Sequence, residues 1–200
     1  MREPFIDFMK RELIQETVLI ACGLPASYKT ETTELIARLK GFHVLRTDMI
    51  RLEVLKDEDI FDKKVASNMD KRTLVYDEMF RMAEELSSKG KGIILDATFV
   101  TQTLRRRAAS VAVKYNKTFV IQQTQCPQEV SIGRILKRTE ENYESNALTE
   151  QAYLNNKKKF EAVDLEDLKK SYPALSLIHL TVDTTSDIEG EWSVVDKVTR

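Results

Sequence analysis

The feature that most constrains this chain is a rhythm. Short apolar runs rich in β-branched residues alternate with longer amphipathic stretches. Thr17–Cys22, Phe42–Arg46, Gly92–Asp96, Thr118–Gln123 and Ser176–Val182 are too short and too continuously apolar for surface helices, and they read as buried strands. Between them, Leu35, Ile36 and Leu39 share one helical face before Gly41. Leu74, Val75, Met79, Met82 and Leu86 stripe a long helix over Asp70–Lys89 that stops at Gly90. Further helical patterns cover Thr103–Tyr115, Gln128–Arg138 and Thr149–Leu168, and residues 1–15 hold an extra amphipathic helix. Such an α/β alternation predicts a parallel sheet of five strands with helices on both faces. Ligands of such sheets bind beyond the carboxyl ends of the strands, so function is to be sought there.

Length and charge narrow the class. At 200 residues the chain buries roughly 70% of its unfolded surface, enough for a single domain over 1–200. With 42% hydrophobic and 32% charged residues it is too apolar for disorder, and its apolar runs are far short of a membrane span. No secretory leader pattern opens it, so the reading is a soluble cytoplasmic domain. Cys22 and Cys126 make no disulfide framework and no zinc spacing; they read as small apolar fillers at the ends of neighbouring strands. The balance of 31 basic against 32 acidic residues gives no electrostatic reason for nucleic-acid binding, although it does not exclude it. His43 and His179 read as packed or edge residues, and the runs Arg105–Arg107 and Lys157–Lys159 as solvated helix faces.

The first strand leads into Gly23-Leu-Pro-Ala-Ser-Tyr-Lys29-Thr30 and then a helix, the context of a phosphate-cradling loop. Gly23, Pro25, Ala26, Ser27, Tyr28, Lys29 and Thr30 form its candidate nucleotide-binding set. Backbone N–H groups and the helix start would hold phosphate oxygens, Lys29 the β- and γ-phosphates, and the Thr30 hydroxyl Mg²⁺. Tyr28 stands where such loops carry a second glycine. A side chain there crowds the phosphates and, if φ is positive, costs about 1–2 kcal/mol.

Three further groups lie at strand or helix ends. Asp48 and Arg51 are three apart, suiting a general base and an anion-orienting partner; the alternative is a helix cap and a surface charge. Asp96 ends an apolar strand and suits the Mg²⁺ shell. Arg134 and Arg138 share a helix face beside the polar segment 139–147, so 127–147 is a candidate lid closing over a γ-phosphate; a solvated helix is the other reading. The segment Lys56–Met69 follows the Asp48 helix and is the candidate acceptor wall.

Taken in order, the Gly23–Thr30 loop, Thr47-Asp-Met-Ile-Arg51, Ile94-Leu-Asp-Ala-Thr-Phe99 with Arg105-Arg106, and Cys126-Pro-Gln-Glu129 leading to Arg134 and Arg138 resemble the zeta-toxin/polynucleotide-kinase-like group of P-loop kinases, most of all its AAA_33 type. The likeness spans roughly Glu16 to Phe160 and departs at Tyr28 and at the N-terminal helix. It implies a three-layer P-loop fold, ATP and Mg²⁺, and phosphoryl transfer to a hydroxyl. It also implies Lys29, Thr30, Asp48, Arg51, Arg134 and Arg138 as functional residues. Two classes stay open: a kinase of a small molecule or nucleotide, or a kinase-like binding module silenced at Tyr28. A plain NTP hydrolase lacks an identifiable water-positioning residue.

Overall fold

The structure, a computed structural model, describes residues 2–58, 68–137 and 149–200. Seven strands form one mixed sheet: β1 (Glu3–Pro4), β2 (Thr17–Cys22), β3 (His43–Arg46), β4 (Ile93–Asp96), β5 (Thr118–Gln125), β6 (Leu177–Asp183) and β7 (Ser193–Thr199), in the order β1-β7-β6-β5-β2-β4-β3. The five strands from β6 to β3 run parallel, while β7 and β1 add antiparallel at one edge. The expected five strands are therefore the parallel centre of a seven-stranded sheet. β1 has only two residues and β7 alternates half-buried polar positions, so neither carries the doubly apolar signature of a central strand.

Eight α-helices are found among the described residues: α1 (Phe5–Glu12), α2 (Lys29–Lys40), α3 (Thr47–Val54), α4 (Met69–Ser87), α5 (Gln102–Lys114), α6 (Gln128–Leu136), α7 (Glu150–Lys159) and α8 (Leu165–Ser171). None is long and apolar enough to cross a membrane. Alternation along the strands splits the core into two layers. Val18, Ile20 and Cys22 of β2 join Met79 and Ala83 of α4 and Ala108 and Ala112 of α5 on one face. Leu19 joins Ile36 of α2, Phe8 of α1, Val120 and Trp192 on the other. Gly92, just before β4, lets the layers close: a Cβ there would stand 2.4 Å from the Phe42 ring.

The expected helix over Thr149–Leu168 is two helices. Asp164 caps α8 through the Asp167 N–H, and the Glu161 N–H donates to the Val100 carbonyl, so the chain between them runs alongside the loop after β4. Arg105 holds that crossing. It is fully buried, donates to the Glu161 and Ala162 carbonyls at 2.7 and 3.0 Å, and lies over the Phe160 ring. The arginine run is thus a solvated face only in part: Arg106 pairs with Asp167 and Arg107 with Asp77 at the surface.

Candidate active site

β2 lies between β5 and β4, where the order of the sheet reverses, and its carboxyl end opens into the loop Gly23–Tyr28. Gly23 has φ of +144°, and a Cβ on it would meet the Thr124 carbonyl oxygen at 2.6 Å and Oγ1 at 2.7 Å, so only glycine lets the loop leave against β5. Ser27 Oγ reaches the Leu24 carbonyl and Thr124 Oγ1, both at 2.7 Å, and Thr184 Oγ1 donates to the Ser27 carbonyl. Ala26 and Tyr28 are both left-handed, with φ of 59° and 54°. Left-handed residues at alternate positions turn backbone N–H groups inward, the shape of an anion cradle. α2 starts directly from it.

Tyr28 departs from the glycine pattern in side chain only, because its backbone takes the conformation glycine would supply. The ring is drawn away from the cradle. Its hydroxyl donates to Asp187 at 2.9 Å, the Arg134 guanidinium lies 3.9 Å over its face, and the Trp192 ring centroid is 5.5 Å away. Burial, and then the Asp187 carboxylate, push its phenol up to about 12. Arg134 is buried and fixed: it donates to Asp187 at 2.8 Å, to the Thr184 and Thr185 carbonyls at 2.9 Å, and to the Ala26 carbonyl at 3.2 Å. An arginine expected on a moving lid is therefore built into the support of the loop. Arg138 and the rest of the candidate lid from 138 to 147 fall outside the described residues, as does the larger part of the candidate acceptor wall.

On the far side of the cradle the ends of β2, β4 and β3 bring the other groups together. Lys29 Nζ donates to the Leu24 carbonyl at 2.8 Å, across the mouth of the loop. Asp96 is buried and in reach of the hydroxyls of Thr30 and Thr33, the latter at 3.3 Å. Burial raises the Asp96 carboxyl above its ordinary value, while the Thr30 hydroxyl, Lys29 and Arg46 pull it back; the Asp48 charge raises it further. Asp48 and Arg51 open α3 and pair at 2.8 Å, half exposed beside this cluster. The threonine and carboxylate oxygens here are hard donors, the set that suits Mg²⁺.

Sequence reading missed two members of the cluster. Thr33 lies one helical turn beyond Thr30, a spacing that gave the signal once α2 was placed. Arg46 closes β3 in register with Asp96, visible only when β3 and β4 are known to pair. Cys22 ends β2, and Cys126 directly follows the neighbouring strand β5. The Cys22 thiol is buried and pushed up to about 11 by burial, and Cys126 Sγ turns to Ser131 Oγ at 3.0 Å.

The profile of an AAA domain family, AAA_33, matches residues 18–163. The chain belongs to that family. A search of curated proteins gave no match. Among solved structures this AAA-domain chain is similar to a sugar kinase from Janibacter sp. HTCC2649, at 17% identity and a TM-score of 0.60 over 84% of this chain and 86% of that one. It is also similar to a gluconokinase from Sinorhizobium meliloti 1021, at 14% identity and 0.59 over 87% and 86%. A structure of the PezAT toxin-antitoxin system of Streptococcus pneumoniae aligns at 11% identity and 0.57, over 96% of this chain and 77% of that one. At these identities the likeness concerns the fold, that of P-loop kinases.

Proposed function

We propose that this AAA-domain chain is an ATP-dependent phosphotransferase that moves the γ-phosphoryl group to a hydroxyl of a small molecule or nucleotide. One observation carries the reading. Lys29, Thr30, Asp96 and Asp48 converge at the carboxyl ends of β2, β4 and β3, with the Tyr28 ring drawn out of the cradle. The kinase names of the similar structures agree with it.

The residues fit the groups such a reaction requires. The N–H groups of Gly23, Pro25's successors Ala26 and Ser27, Tyr28 and Lys29 would bind phosphate oxygens; Pro25 itself lacks a donor and stiffens the turn. Thr30 and Asp96 would hold Mg²⁺, which supplies charge neutralisation of the transferring phosphoryl group. Lys29, now closing the loop on the Leu24 carbonyl, exchanges that neutral acceptor for a phosphate, a stronger one. Asp48 takes the proton of the acceptor hydroxyl, and Arg51, already bonded to it, orients the carboxylate and an anionic group of the acceptor. Arg134 acts on the nucleotide side by fixing Ala26 and Tyr28; Arg138, grouped with it by sequence spacing alone, is assigned to the γ-phosphate. Two free thiols suit a reducing cytoplasm.

ADP release should be measured with wild type and Asp48→Asn across sugars, sugar acids and nucleosides. The proposal predicts an acceptor-dependent rate that Asp48→Asn lowers by roughly 10²–10⁴-fold with ATP affinity retained. ATP binding without transfer to any acceptor would instead make the chain the binding module considered above.

A further inference from the structure

Arg46 stands inside the candidate metal site, yet the reaction scheme does not use it. It ends β3 directly opposite Asp96 in the β3–β4 register. Its Nε lies 3.3 Å from Asp96 Oδ2, and its Nη2 donates to Glu34 Oε1 of α2 at 2.6 Å. The Asp96 side chain is only 4% exposed and that of Arg46 23%, whereas Glu34 is 46% exposed. One permanently charged guanidinium is therefore shared between a buried carboxylate and a surface one. The buried partner is the carboxylate assigned to Mg²⁺. A guanidinium so close to Asp96 lowers the charge the carboxylate presents to a second cation, and the low local dielectric makes that effect larger than at the surface.

We propose that Arg46 is a positioning residue for the divalent cation. It balances Asp96 in the nucleotide-free protein, shifts toward Glu34 as the metal–nucleotide complex enters, and so sets the Mg²⁺ concentration at which nucleotide binds. This inference rests on the assignment of Asp96 to the metal in the proposed function. The shared geometry makes it specific, because Asp96 and Glu34 draw on the same guanidinium with opposite effect on the metal. Removing the Arg46 charge leaves Asp96 wholly to the metal. Removing the Glu34 charge leaves more of the Arg46 charge to Asp96.

The test is binding of a fluorescent ATP analogue, titrated with Mg²⁺, to wild type, Arg46→Gln and Glu34→Gln, each checked for a cooperative melt. Arg46→Gln should lower the half-saturating Mg²⁺ concentration by about fivefold, and Glu34→Gln should raise it by about threefold. A purely structural role would move both variants the same way or not at all. Weaker analogue binding by Arg46→Gln in the absence of Mg²⁺ would mean that the guanidinium holds phosphate, and would overturn the inference. Glu34 is on the surface, so its variant keeps the test intact if Arg46→Gln fails to fold. Analogue binding with an unshifted Mg²⁺ requirement sinks this inference alone. No binding at any Mg²⁺ concentration sinks the proposed function with it.

Discussion

Tyr28 separates what a phosphate loop requires of its backbone from what it requires of its side chain. The left-handed conformation costs a non-glycine residue about 1–2 kcal/mol. Against that stand a hydrogen bond to the Asp187 carboxylate, the Arg134 guanidinium over the ring and the Trp192 ring beside it, together of the same order. Tyr28→Phe keeps the ring and loses the hydrogen bond, so it should cost about 1 kcal/mol in urea unfolding near neutral pH. The difference is pH-dependent. The folded phenol ionises near 12 against an ordinary value of 10, so its contribution is whole below pH 10 and is lost as pH rises toward 12. Wild type and Tyr28→Phe should converge over that window; a constant gap would mean that the phenol is not held by Asp187. At this scale Lys29, Thr30 and Asp96 were legible because each is set by the end of its own strand or the start of its own helix. The fate of the Tyr28 ring was not, since Asp187 and Trp192 lie far along the chain. The same holds for Arg134, whose i,i+4 spacing with Arg138 says nothing of the carbonyls of residues 184–186 that bind it.

Among the elements, β2, β4 and β5 were readable because burial on both faces leaves a continuous apolar run. The added antiparallel strands β1 and β7 were not, because a half-solvated strand or a two-residue strand has no such run. The break between α7 and α8 was also hidden. Helical propensity continues through Phe160–Asp164, and it is overridden by tertiary bonds from Val100, Gln102 and Arg105. Arg105→Met preserves much of the volume but strips the Glu161 and Ala162 carbonyls of charged donors, worth about 1.5–3 kcal/mol each. Because removing the buried charge also relieves its desolvation cost, a loss of about 2–4 kcal/mol in the unfolding midpoint analysis, less than the sum of the two bonds, with α5 still formed by circular dichroism, is the expected outcome. A loss below about 0.5 kcal/mol, the level of an ordinary surface substitution, would show that Arg105 does not pin the crossing.

For the whole molecule, the sheet carries the site at one end and its added edge supports that site from the side. β1 and β7 pair, the Phe5 N–H donates to the Trp192 carbonyl at 2.9 Å, and the Phe5 ring meets Trp192 edge-on. Trp192 in turn flanks Tyr28. The segments outside the family match, at both ends of the chain, thus converge on the one loop residue that departs from the glycine pattern. The central claim is that this anchoring leaves the phosphate cradle open despite Tyr28. Calorimetric titration of Mg-ATP into wild type and Tyr28→Gly tests it most directly. The account predicts that wild type binds with a Kd on the order of micromolar, within about tenfold of the glycine variant. Binding by Tyr28→Gly but not by wild type, or by neither folded protein, would contradict it.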